Sequence, residues 1–65
     1  MEEYQIRVVE EKKDLDNKLM RLIEFMETGG FMSLSLDERG MMARQEMAMV
    51  AYSDVLSERI DAFDI

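Results

Sequence analysis

A single cluster of helix-breaking residues, "ETGGFMSLS" at positions 27–35, interrupts a chain of 65 residues that contains no proline. On either side the apolar residues recur at helical spacing, so the chain is predicted to form two long helices and little else. The first spans about 2–28, the turn 29–35, and the second about 36–63. Glu2 and Glu3 complement the positive end of the first helix dipole. Gly29 and Gly30 supply a residue of positive φ to close that helix, with Phe31 making the accompanying apolar contact. Ser35-Leu36-Asp37-Glu38 is a capping box, with Leu34 before it as a staple. Gly40 lies inside the second helix and costs roughly 1 kcal/mol against alanine. Helices of this length are roughly 40 Å long, and a short turn makes them antiparallel neighbours. The fold class is all-α, an antiparallel two-helix hairpin forming one domain over 1–65.

A hairpin this small is a poor container for its own apolar residues. It buries only about 60% of the surface that its unfolded chain exposes. Cysteine and histidine are absent, which removes disulfides and zinc as reinforcement. No Asp-rich loop with the required glycine is present for calcium. Val8, Leu15, Leu19, Leu22 and Met26 line one stripe of the first helix, widened by Val9 and Ile23. The second helix carries two apolar rows, Met42-Met49-Leu56-Phe63 and Met41-Ala48-Val55-Ala62, with Met47, Val50 and Ile60 besides. One partner helix cannot cover that width. The hairpin is therefore expected to assemble into a homo-oligomeric helical bundle. Met26, Met41, Met42, Met47 and Met49 are read as core or interface fillers.

Charge narrows the partners. The net charge is −7, and five of the eight cations lie within the first 27 residues. An acidic chain without a basic block is a poor binder of DNA or RNA polymers and of anionic membranes. No apolar run approaches a membrane span and no signal peptide is visible. A small anion held by a few localised cations remains compatible with the total charge. No histidine or cysteine is available for catalysis, and no nucleophile has a base at a defined spacing. Serines 33, 35, 53 and 57 read as cap or surface residues, so the chain is read as a non-enzyme without cofactor or metal.

Several polar residues fall where apolar ones are expected. Tyr4, Glu11 and Lys12 sit in or beside the first helix's stripe, and Lys18 on its edge. Lys12 is expected to pair with an acid across the oligomer seam. In the second helix Gln45, Tyr52 and Arg59 form a seven-residue row expected to be at least half buried, either as a packed rim or as the lining of a wet pocket between subunits. Tyr4 and Lys18 project from nearly the same side but lie roughly 21 Å apart along the helix. They can share a small ligand only where two chains cross antiparallel, and Asn17 and Arg21 would add donors beside Lys18. On spacing alone, a half-buried aromatic at a fraying end and a solvated lysine describe them more economically.

The run R-V-V-x-E-K-x-x-L-D-x-K from Arg7, continued to Phe25 and then by Gln45, Tyr52, Leu56 and Arg59-Ile60, resembles the phage anti-CBASS sponges of the small helical-hairpin type. The resemblance implies a homohexamer, acting in the cytoplasm of an infected bacterium, that sequesters cyclic oligonucleotide signals. It implies that Tyr4 and Lys18 hold a cyclic dinucleotide between protomers. Arg59, with Gln5 and Arg21 as neighbours, would hold a cyclic trinucleotide at a separate site. The alternative is a structural or adaptor hairpin that oligomerises and binds a protein partner, with no nucleotide ligand.

Overall fold

The computed structural model describes residues 1–63, so the last two positions of the expected 1–65 unit lie outside the described residues. Helix α1 spans Glu3–Met26, α2 spans Gly29–Met32 and α3 spans Leu36–Asp61. The described residues are helical with no strand, and no helix among them is long and apolar enough to cross a membrane.

The helix starts follow from local chemistry. At the head of α1 the Glu2 N–H donates to Gln5 Oε1 at 2.8 Å, satisfying one of the donors that a first turn leaves open. At the head of α3 the Glu38 N–H donates to Ser35 Oγ at 3.1 Å, the N-cap half of the expected capping box. The turn differs from expectation. No glycine has positive φ, and Gly29 and Gly30 start a third, four-residue helix rather than closing the first. Thr28 is the cause. Its backbone is extended, its hydroxyl accepts from the Phe31 N–H at 3.4 Å, and the same hydroxyl donates to the Phe25 carbonyl at 2.6 Å. The residue thus ends one helix and caps the next. Gly30 lies against the Phe25 ring, and a Cβ there would make a close contact of 3.4 Å with Phe25 Cε1. Phe25 and Phe31 meet edge to face across the turn, 6.3 Å between centroids. Consequently α1 stops at Met26, two residues short of the expected end, and α3 at Asp61.

Helices α1 and α3 lie side by side and run in opposite directions: Tyr4 meets Phe63 near one end, and Lys12 and Asp16 reach Ser53 further along. The Cα trace measures 47 × 14 × 13 Å. Residues 5, 8, 12, 15, 19, 22 and 26 of α1 are all buried or half-buried, as are 42, 46, 49, 53, 56, 60 and 63 of the segment that contains α3. These are alternating steps of three and four, the spacing that keeps two helices in register along one seam. Among the described residues only Val8, Leu15 and Leu56 are buried apolar side chains, with Met49, Ile60 and Phe63 packed against them.

That narrow seam corrects several expectations. Gln45, Tyr52 and Arg59 are exposed, not half buried, because α3 turns its Met49-Ser53-Leu56-Ile60 stripe toward α1. For Met41 and Met47, 48% and 70% exposed, the core reading is removed and the interface reading is left. The row Met41-Ala48-Val55-Ala62 faces outward entirely. Leu56, 1% exposed between Val8 and Leu15, is the side chain that the pairing can least lose. Leu56→Ala should lower the unfolding free energy by about 2–5 kcal/mol in urea titrations followed by circular dichroism.

Candidate ligand-binding surface

The seam contains its own polar junction. Lys12 Nζ donates to Asp16 Oδ2 at 2.7 Å and to Ser53 Oγ at 2.9 Å. The Ser53 hydroxyl in turn donates to Asp16 Oδ1 at 2.5 Å, closing a ring of three hydrogen bonds between α1 and α3. Lys12 therefore has its acid partner, Asp16, within its own chain. Ser53, expected at the surface, is 8% exposed. Its hydroxyl accepts from Lys12 and donates to Asp16, so it is engaged on both sides. The hydrogen bonds from Lys12 and then Ser53 hold the Asp16 carboxyl below its ordinary pKa, against a smaller opposing effect of burial.

Flanking the seam, heptad steps carry Tyr4, Glu11 and Lys18 along α1, and Gln45, Tyr52 and Arg59 along α3. Glu11, Lys18 and Tyr52 border one groove of about 530 Å³, with Arg7, Glu10, Asp14 and Leu15. A phenol ring and two cations thus stand on one side of the helix pair, interleaved with three carboxylates. Asn17 and Arg21 are exposed next to Lys18 along α1. Tyr4 is 55% exposed but stands apart, its ring edge to face with Phe63. Arg59 is exposed in the last turn of α3, where a cation complements the helix dipole. Gln5 is placed differently from the others. It is 6% exposed and its carbonyl oxygen serves the first turn of α1, so reaching a ligand would require that turn to open.

The structure thus brings Lys18 together with Tyr52 and Arg7, but within one chain it does not bring Lys18 to Tyr4. Sequence reasoning missed two members of the seam, Lys12 as an in-chain partner and Ser53. The signal was available: 5-8-12-15 and 49-53-56-60 are unbroken three-four series once polar residues are allowed in them.

Comparison with known proteins places the chain. Residues 2–62 match the family Sequestin. The chain belongs to the Sequestin family. This is the phage anti-CBASS sponge family that the run from Arg7 resembles. A relative in Enterobacteria phage T4, described as an uncharacterized 7.5 kDa protein in the denB-rIIB intergenic region, is 35% identical over 60 residues, which cover 92% of this chain and 94% of the relative. No solved structure matches. Sequestins are ligand-sequestering proteins rather than enzymes, and membership implies binding of cyclic oligonucleotides.

The polar junction of this Sequestin makes stability depend on pH with a defined sign. The Asp16 pKa is lower in the folded chain than its ordinary 3.8. Its stabilising contribution is therefore complete above that value and is lost as pH falls through the folded pKa. Asp16→Asn should be less stable than the wild type at pH 7, and the difference should shrink on acidification. Urea midpoints measured from pH 7 down to pH 2 check this.

Proposed function

We propose that this Sequestin is a stoichiometric sponge for cyclic oligonucleotide second messengers, which it binds at joints between identical hairpin copies in the cytoplasm of an infected bacterium. The observation that carries this reading is the family match across residues 2–62. Capture without turnover removes a defence effector's activator, so no catalytic group is required.

Two features of the chain support sites between copies. Tyr4 and Lys18 stand roughly 21 Å apart along one helix, too far for both to touch one cyclic dinucleotide. The apolar residues that face outward, among them Met20, Leu36, Met47 and Val55, at 52–77% exposure, are what a second copy would cover. In such a joint Tyr4 stacks on a base of a cyclic dinucleotide, Lys18 neutralises a phosphate, and Asn17 and Arg21 donate hydrogen bonds beside it. Arg59 serves a cyclic trinucleotide at a second type of site, with Arg21 and, once the first turn of α1 opens, Gln5. A hexamer is the assembly that the family resemblance favours.

The test combines light scattering with thermal melting against a panel of cyclic di- and trinucleotides. A multiple of the 7.7 kDa chain mass is expected, together with stabilisation of about 2.7 kcal/mol per site at a ligand concentration of 100 times Kd. Tyr4→Ala should abolish the dinucleotide shift while leaving the mass intact, and Arg59→Ala should weaken only the trinucleotide shift. A monomer that no cyclic nucleotide stabilises would overturn the proposal in favour of a protein-binding adaptor.

A further inference from the structure

Tyr4 lies in the first turn of α1, where a side chain ordinarily has neighbours on one side only. Its ring is nevertheless met by a second aromatic from the opposite end of the chain. The Tyr4 and Phe63 centroids are 6.0 Å apart and their planes stand at 79°. This is the edge-to-face arrangement that ring quadrupoles favour. Phe63 is itself fixed. Its N–H donates to the Ile60 carbonyl at 3.1 Å, and its side chain packs against the cluster of Val8, Leu15 and Leu56. Tyr4 meanwhile keeps 55% of its surface open. One side chain is thus anchored to the core, and the other is braced by it but still accessible.

We infer that Phe63 is a positioning residue for Tyr4, holding the phenol ring in the orientation in which a nucleobase of a cyclic dinucleotide stacks on it. The inference rests on the reading of Tyr4 as a ligand contact. An unbraced aromatic in a first turn samples several rotamers and must give up that freedom on binding, which weakens affinity. Phe63 removes that loss in advance. An edge-to-face pair contributes enough that its removal should weaken stacking roughly three- to tenfold.

The test uses the full-length protein and isothermal titration with cyclic di-AMP, cyclic di-GMP and cyclic GMP-AMP, comparing the wild type with Phe63→Leu and Phe63→Tyr. Leucine keeps the apolar packing but removes the ring, whereas tyrosine keeps the ring. The expected result for Phe63→Leu is unchanged oligomeric mass, a dinucleotide affinity roughly three- to tenfold lower, and NMR shifts of the Tyr4 ring protons that move in the ligand-free protein. Phe63→Tyr should retain wild-type affinity. Unchanged affinity in Phe63→Leu would overturn the inference while leaving the sponge reading intact. So would unmoved Tyr4 ring signals, or an affinity loss that accompanies dissociation of the oligomer, which would make Phe63 purely structural. A wild-type protein that binds none of the three dinucleotides would overturn both.

Discussion

Two helices lying side by side share one seam, and most apolar residues outside that seam stay exposed within the chain. Here the seam is a series of three- and four-residue steps, from Gln5 to Met26 on α1 against Met42 to Phe63 of the segment that contains α3. Val8, Leu15 and Leu56 are the only buried apolar residues among those described. Hydrophobic stabilisation scales with the area removed from water, so three such residues are a small core for 63 described positions. The exposed methionines follow from how little one seam can hold.

The junction of Lys12, Asp16 and Ser53 occupies seam positions that apolar residues could have filled. A polar group inside a helix seam is costly unless its hydrogen bonds are satisfied. When satisfied, it penalises every alignment that would separate the partners. Sliding α3 by a turn would leave Lys12 facing Met49 or Leu56, and Ser53 facing Val8 or Leu15, instead of each other. The junction thus fixes where Tyr52 stands against Lys18 and where Phe63 stands against Tyr4. The shape of the candidate surface is a consequence of that alignment.

In the proposed sponge, joints between copies would cover the outward-facing apolar rows and use the surface that a single helix pair leaves exposed. A sponge acts by stoichiometry, so its efficacy would depend on affinity and on the number of sites per assembly. Acidic net charge does not oppose this, because a site with local cations responds to the nearby field more than to the total.

The sequence by itself determined that the chain is helical and where its main break falls. Helical periodicity, the absence of proline and the Ser35-Glu38 cap are local properties, each acting within a turn of its own residue. It also carried the family pattern through Arg7 to Phe25. Tertiary structure alone decided which of the two apolar rows of α3 faces inward, because both have the same period and only contact with α1 breaks the tie. It decided that Lys12 bonds to Ser53 across 41 positions of sequence, a pairing that depends on alignment and not on local preference.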